Sequence, residues 1–182
     1  MEDISLHILD VAENGITAGA SLIKIAIEED TREDLLKIRV EDNGKGMDEE
    51  FLAKVLDPFV TTRTTRKVGL GLSLFRQSAQ EAEGDLYVES RTGKGTTVSV
   101  IMSHSHIDRK PMGNMAETLV TLIEGNPDVD FAYSHVRDGR QYDLDTRTIR
   151  AELEEIPLND PQVIGLIRDD IVTGIAELDA QA

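Results

Sequence analysis

The chain has 182 residues, of which 40% are apolar, with no cysteine and a formal net charge of −16. This composition predicts a globular protein, either one domain or a core domain with an extension, and it excludes disulfides, thiolate metal sites and a cysteine nucleophile. No apolar run is long enough to span a bilayer and the N-terminus does not resemble a signal peptide, so we expect a cytoplasmic protein. The negative charge repels nucleic acid and anionic membranes, and we expect neither as a partner.

The first predicted element is an amphipathic helix over residues 3–20. Apolar side chains recur at helical spacing along one face, at Ile4, Ile8, Val11, Ala12 and Ile16. Polar side chains form one column on the other face, at Asp3, His7, Asp10, Asn14 and Thr17. A carboxylate one turn from an amide oxygen can hold a hydrated Mg²⁺ and orient a water. The alternative is an ordinary solvated helix face.

Two strands follow, over residues 22–28 and 35–42, each with alternating apolar positions. In the second strand, Asp42 shares the parity of Leu36, Ile38 and Val40. A carboxylate at a core-facing position is costly unless hydrogen bonds stabilise it, which favours a ligand-binding role. The alternative is a strand-end Asp that reaches solvent.

The next segment, NGKGM over residues 43–47, predicts a turn in which two glycines permit a close approach to a ligand. Asp48 is expected to cap a short helix that ends before Pro58. Residues 57–68, DPFVTTRTTRKV, have no apolar period and three basic side chains. They predict a loop that covers an anionic ligand.

A second glycine pair lies in residues 69–72, GLGL, directly before a helix predicted over residues 73–82. Backbone amides and the positive end of a helix dipole meet at such a point, where a phosphate can bind. A tight turn is the alternative. Strands over residues 85–90 and 96–102 form a hairpin, and in the second one Thr96 shares the parity of Val98 and Val100. We expect its hydroxyl to face inward, as a donor near Asp42.

Together these motifs resemble the GHKL superfamily of ATPases, which includes gyrase, heat-shock-chaperone, mismatch-repair and histidine-kinase ATP-binding domains. Five of its motifs occur in order: DVAENGITAGA is similar to the N box, DNGKGM to the first glycine box, DPFVTTR to the opening of the ATP lid, VGLGLSL to the second glycine box and GKGTTVSV to the closing strand. The similarity covers residues 1–103, and within the superfamily the chain resembles a stand-alone histidine-kinase-like ATP-binding protein.

The resemblance implies a role for each matching position. It implies that Asn14 binds Mg²⁺, that Asp42 accepts from the adenine amino group beside Thr96, and that Asp10 acts as the catalytic acid that orients the attacking water. The glycine boxes imply ATP contacts at Gly44, Gly46, Gly69, Leu70, Gly71 and Leu72. The lid implies phosphate contacts from Arg63, Arg66 and Lys67.

The chain departs from the superfamily at several positions. The hydrolytic branches usually have Glu where this chain has Asp10, so we expect slow hydrolysis. Thr17 replaces a residue that is often charged, and the lid lacks extra glycines just before Val68. We interpret His7 as a neighbour of Asp10 and not as a phosphorylation site.

Residues 104–182 lie outside the resemblance and are predicted to form an extension. It contains a helix over 115–124, a hairpin of strands 129–137 and 140–144 around Asp138-Gly139, and a last helix over 161–178. His104, His106 and Asp108 can be viewed as a metal cluster, but the polar exit of a strand is the better interpretation. We expect the extension to serve docking or dimerisation.

The sequence therefore predicts an α/β sandwich in which a mixed, largely antiparallel sheet is covered on one face by helices, with ATP and Mg²⁺ held under a lid, as in the Bergerat-type fold. The expected function is a nucleotide-gated switch or slow ATPase coupled to a protein partner. The alternatives are a serine kinase acting in trans, like the anti-sigma-factor kinases, and a module that binds ATP or ADP without catalysis. The resemblance also suggests a redox or hydrogenase-type complex as the partner, and the extension suggests a homodimer.

Overall fold

A computed structural model of the protein describes residues 2–56 and 70–180. The described residues contain six helices and six strands: α1 Ile4–Thr17, β1 Leu22–Asp30, β2 Leu35–Asp42, α2 Glu49–Leu52, α3 Leu70–Glu81, β3 Asp85–Arg91, β4 Gly95–Ser103, α4 Met115–Gly125, β5 Asp130–Arg137, β6 Arg140–Asp145, α5 Thr146–Leu153 and α6 Pro161–Asp179. In that part of the chain, no helix combines the length and hydropathy needed to cross a bilayer.

The six strands form one sheet in the order β3-β4-β2-β1-β5-β6. All neighbours are antiparallel except β1 and β5, which run parallel because α4 and its connections carry the chain back to the start of the sheet. The predicted mixed, largely antiparallel sheet is confirmed. Strand β1 shows how its faces differ, since Ile23, Ile25 and Ile27 are buried whereas Lys24 and Glu28 are exposed.

Helices α1, α3, α4 and α6 cover the apolar face of the sheet. Helix α1 lies at the centre of this layer, in contact with α3 on one side and α4 on the other, and α4 in turn contacts α6. The α1 stripe predicted from the sequence faces this core, with Ile4, Ile8 and Ala12 fully buried. The N-cap is Asp3, whose Oδ1 accepts from the Leu6 amide at 3.0 Å.

The residues after 103 continue the same sheet and core. Strand β5 pairs with β1 from Leu22 to Glu29, and Leu119 and Ile123 of α4 are completely buried. Helix α5, which the sequence analysis did not predict, is capped by Asp145 and packs against β5. The division into domains at residues 103 and 104 stays a prediction, and the structure gives it a direct test.

We predict that Leu119→Ala lowers the free energy of unfolding by about 2–5 kcal/mol, because it leaves a cavity between α4 and the rest of the core. Urea unfolding monitored by circular dichroism measures this change. The matched control, Leu166→Ala on α6, removes a side chain that is 71% exposed and should change stability by less than about 0.5 kcal/mol. Two separate unfolding transitions, of which Leu119→Ala shifts only one, would establish that residues 1–103 and 104–182 are independent domains.

Candidate functional site

A cavity of about 490 Å³ lies between α1, the end of β2 and the start of β4. Its polar lining includes Asn14 and Thr17 of α1, Asp42 of β2, Lys45 of the following turn and Thr96 of β4. Apolar side chains that the sequence analysis did not assign to the site form much of the wall, at Val11, Met47, Phe51, Val55 and Val98. A concave apolar site with a few convergent polar groups is typical of a small-molecule pocket.

Asp42 ends β2 on the buried face of the sheet, in phase with Val40. Its Oδ1 accepts from the Gly44 amide at 2.8 Å. Burial raises the pKa of Asp42 above its usual value, although hydrogen bonds from the backbone of Gly44 and Thr96 oppose the rise. The site therefore contains a half-buried carboxylate that is supported by backbone donors only.

Thr96 is the register partner of Asp42 in the β2–β4 ladder. The expected donation from its hydroxyl to Asp42 is not made. The Ser90 hydroxyl donates to the Gly95 carbonyl, so Ser90 Oγ accepts from Thr96 Oγ1 at 2.9 Å and from the Met47 amide at 2.9 Å. Ser90 thus ties the Gly44–Gly46 turn to β4, a role that its position opposite Thr96 in the hairpin could have indicated.

The turn after β2 is positioned by backbone contacts. Gly46 has a φ of +66°, and a Cβ added there would lie 2.0 Å from the Arg91 carbonyl oxygen. Gly44 does not have a positive φ, so only one of the two predicted turn glycines needs that conformation. The Lys45 amide donates to the Ala18 carbonyl at 2.9 Å, which joins the turn to the end of α1.

Asp10 lies beside the cavity, against the first turn of α3. An ideal Cβ on Gly71 would fall 1.6 Å from Asp10 Oδ2, so only glycine leaves room for the carboxylate. Helix α3 begins at Leu70, earlier than predicted, and Leu72 of the same turn lines the cavity. The N box and the second glycine box are therefore in direct contact, at a helix N-terminus that favours anions.

His7 is the one position where the predicted polar face of α1 is wrong. Its side chain is 1% exposed and stacks on Phe75 of α3, with the ring centroids 4.6 Å apart. Burial, together with the nearby charge of Lys110, lowers the pKa of His7 to about 4, so the ring is neutral at pH 7. The reason is tertiary, because α3 covers this side of α1.

Some predicted contacts lie outside the described residues, namely Arg63, Arg66 and Lys67 of the lid together with Gly69. For a metal, the described part of the chain contains no group of three His, Cys, Asp or Glu side chains placed to hold one. Asn14 lines the cavity as a half-buried amide. A metal at Asn14 would therefore need most of its ligands from phosphate oxygens and water.

Comparisons with known proteins agree with this architecture. Residues 2–106 match the family model of histidine kinase-, DNA gyrase B- and HSP90-like ATPases. The sensor protein kinase FleS of Pseudomonas aeruginosa is 38% identical over 95 residues, which span 52% of this chain and 23% of that protein. Sporulation kinase D of Bacillus subtilis is 32% identical over 101 residues, spanning 56% of this chain and 20% of that protein. The match thus covers about a fifth of each kinase.

Among solved structures, the N-terminal domain of a DNA repair protein has a TM-score of 0.51 and 18% identity, covering 80% of this chain and 53% of that one. The Aquifex aeolicus MutL ATPase domain, solved in complex with ADP, gives a TM-score of 0.49 and 21% identity over 80% of this chain and 63% of that one. The first of these similarities supports the fold.

Proposed function

Because the chain belongs to the histidine kinase-, DNA gyrase B- and HSP90-like ATPase family, we propose that its ATP-binding domain is a Mg²⁺-dependent nucleotide switch coupled to a protein partner. In this proposal, ATP occupies the cavity beside α1 and is hydrolysed slowly. The observation that carries the proposal is the contact between Asp10 and Gly71 next to a cavity that ends at Asp42. In this proposal, one site contains Asp10 as a candidate general base, a helix N-terminus for the phosphates and Asp42 as the carboxylate that contacts adenine.

The adenine end of the cavity is Asp42. Its carboxylate can accept a hydrogen bond from an exocyclic amino group, and apolar side chains such as Met47, Val55 and Val98 can contact the faces of a planar ring. The Thr96 hydroxyl, which donates to Ser90, keeps its oxygen lone pairs for a further donor. These features fit a purine with an amino group better than a purely apolar ligand.

The phosphate end is the first turn of α3. Backbone amides of a helix N-terminus bind phosphate oxygens, and Asp10 contacts this turn. Asn14 follows Asp10 by one helical turn on the same face of α1. An amide oxygen is a hard ligand that suits Mg²⁺, so Asn14 fits a hydrated ion that is bound mainly by phosphates, and Asp10 lies one turn away, close to the terminal phosphate.

Asp10 can accept a proton from water or from a partner hydroxyl, so the same geometry permits hydrolysis and phosphotransfer. The shorter side chain of Asp favours a nucleophile that reaches Asp10 through an intervening water, and slow hydrolysis follows. A serine kinase acting in trans is the second candidate, and it would use Asp10 on a partner hydroxyl instead. Incubation with γ-labelled ATP distinguishes the two, because hydrolysis releases free phosphate and transfer labels a protein.

We predict that Asp42→Asn weakens ATP binding by about 10-fold to 100-fold, because hydrogen bonds to a charged group contribute about 1.5–3 kcal/mol and the amide can present a donor to the adenine amino group. Isothermal titration calorimetry measures the affinity. Glu28→Gln is the control, since Glu28 is an exposed carboxylate on the neighbouring strand and does not line the cavity. Equal affinities in all three proteins would exclude Asp42 from the adenine site.

We predict that Asn14→Ala removes the Mg²⁺ dependence of ATP binding, because the variant lacks the amide oxygen that completes the ligand shell. Titrations with Mg²⁺ and with EDTA should then give the same affinity, whereas the parent protein binds more tightly with Mg²⁺. Glu13→Ala, at the exposed neighbouring position, should behave like the parent. A persistent response to Mg²⁺ in Asn14→Ala would mean that another group holds the metal.

We predict that Asp10→Asn lowers turnover about 10²-fold to 10⁴-fold and changes ATP affinity little, because loss of a general base affects the transition state. Phosphate release and labelled-protein formation are measured with affinity on the same samples. Glu13→Gln removes an exposed carboxylate from the same helix and is the control. Loss of affinity in Asp10→Asn would make Asp10 a metal ligand, and a parent without turnover, alone or with partners, would leave a binding module.

A further inference from the structure

A second cavity, of about 620 Å³, lies at the opposite end of the sheet from the cavity that Asp42 and Thr96 line, which we call the nucleotide cavity. We call it the Glu29 cavity, and its ionisable lining consists of Glu29, His104, Arg109, His135, Arg137 and Asp179. In the β2–β4 ladder, the Asp42–Thr96 pair marks the nucleotide end and the Leu35–Ser103 pair marks the other end. Seven residues at 3.3 Å each separate these pairs by about 23 Å. The two cavities are therefore distinct.

Glu29 is a carboxylate at a core-facing position of β1, in phase with Ile25 and Ile27. It is 7% exposed, and each carboxylate oxygen is 2.7 Å from an imidazole, Oε1 from His135 Nε2 and Oε2 from His104 Nε2. Burial would raise the pKa of Glu29, but these hydrogen bonds and the charge of Arg137 outweigh it and lower the pKa to about 2. Glu29 is thus ionised, with both oxygens occupied.

The imidazoles are held in place by this carboxylate. His135 Nδ1 lies 2.9 Å from the buried Tyr133 hydroxyl, which completes its hydrogen bonding. In His104, Nε2 is bonded to Glu29, so Nδ1 is the ring nitrogen that remains for a ligand, as an acceptor when the ring is neutral and a donor when it is protonated. The side chains of Glu29, His104, His135 and Tyr133 are thus hydrogen-bonded to one another on one wall of the cavity. None of these hydrogen bonds involves the guanidinium groups beside them.

Two guanidinium groups complete the polar wall. Arg109 donates to the main-chain carbonyls of His104 and Lys110, and it makes no ion pair with any carboxylate of the described chain. Arg137 pairs with Asp179, yet its Nε atom is buried and has no hydrogen-bond partner among the described residues. That atom has almost no accessible surface, so a ligand in the cavity does not reach it. The Arg109 guanidinium is therefore the cation of this wall that remains available to an anion.

The rest of the wall is largely apolar. It comes from the segment before α4 and from the C-terminal half of α6, and includes Pro111, Met112, Met115, Val172 and Ile175. A cavity of this volume with an apolar wall and a few fixed polar groups is typical of a small organic ligand. A dianion such as phosphate would be disfavoured by the nearby charges of Glu29 and Asp179.

We propose that the Glu29 cavity is a binding site for a small organic monocarboxylate with a hydrocarbon body. The carboxylate lies against Arg109, and the hydrocarbon contacts the apolar wall formed by Met112 and Ile175. A purely structural role accounts for the hydrogen bonds of Glu29, but it leaves Arg109 without an anion.

Hexanoate is the probe, and hexanamide, of equal length but uncharged, is the control ligand. We expect hexanoate to shift the nitrogen-15 signals of Arg109 and its neighbours in the full chain with saturable binding, while hexanamide binds at least about tenfold more weakly. Saturating ATP is present throughout, so that hexanoate reports on the Glu29 cavity alone. ATP affinity is measured in parallel, and it should be the same in every variant.

Two pairs of variants test the site. Arg109→Gln should weaken hexanoate binding at least about tenfold, whereas Arg39→Gln, on the open face of the sheet, should not. Ala176→Trp adds a large side chain at an exposed position of the cavity rim and should abolish binding, whereas Glu177→Trp, the next residue, does not line the cavity and should leave it intact. Urea unfolding verifies that each variant is folded, and Ala176→Trp tests the site if Arg109→Gln is unstable.

Several results would overturn the proposal. One is a folded parent protein that shows no saturable binding of hexanoate. Another is equal binding of hexanoate and hexanamide, which would leave an apolar cavity with no preference for an anion. A third is unchanged hexanoate binding in both Arg109→Gln and Ala176→Trp, which would locate the ligand elsewhere.

Discussion

The burial of α1 between the sheet, α3 and α4 is the constraint on which the rest of the structure depends. The apolar stripe of α1 contacts the sheet. On the side that faces α3, the His7 ring stacks on Phe75 and the Asp10 carboxylate fills the space beside Gly71. Because protein interiors are close-packed, a shift at the start of α3 cannot be absorbed by empty space. Any ligand that repositions that turn therefore acts on α1, and through α1 on α4.

The same packing connects the residues beyond 103 to the helix that lines the candidate nucleotide cavity. Helix α4 lies against the side of α1 that faces away from α3, and β5 pairs with every residue of β1 from Leu22 to Glu29. Under the proposed switch, a partner that contacts α4 or α6 would respond to nucleotide through two helix contacts. This response would not depend on the movement of a separate linker.

Two carboxylates on the core-facing side of antiparallel strands, the half-buried Asp42 and the buried Glu29, have pKa values shifted in opposite directions. Asp42, at the end of β2, accepts hydrogen bonds from backbone donors only, and burial raises its pKa. Glu29, near the end of β1, is hydrogen-bonded to two imidazoles, and its pKa is lowered. A carboxylate whose hydrogen bonding is incomplete is suited to a ligand donor. One that is fully bonded is suited to organising its neighbours, here His104 and His135.

Much of the architecture was predictable because strand alternation and glycine-rich turns are local signals. The alternation placed Asp42 and Thr96 at the buried end of neighbouring strands, and the structure brings both to one cavity. The burial of His7 was not predictable, since it depends on α3, which is distant in sequence. The parity that identified Asp42 also applies to Glu29. Because its neighbours are acidic, however, the predicted strand ended at residue 28 and excluded Glu29. The parallel pairing of β5 with β1 has no local signal.

Charge provides a further reason for the proposed metal dependence. The chain carries a net charge of −16, and Lys45 is the only cationic side chain among the described residues that line the nucleotide cavity. Asp42 lines the same cavity and Asp10 contacts the turn beside it, so a triphosphate would enter a region with two carboxylates. The amides of one helix N-terminus supply roughly half an elementary charge. In the proposed function, a divalent cation bound to the phosphates and to Asn14 would supply the positive charge that these groups lack, and it would reduce the repulsion between the terminal phosphate and the carboxylate of Asp10.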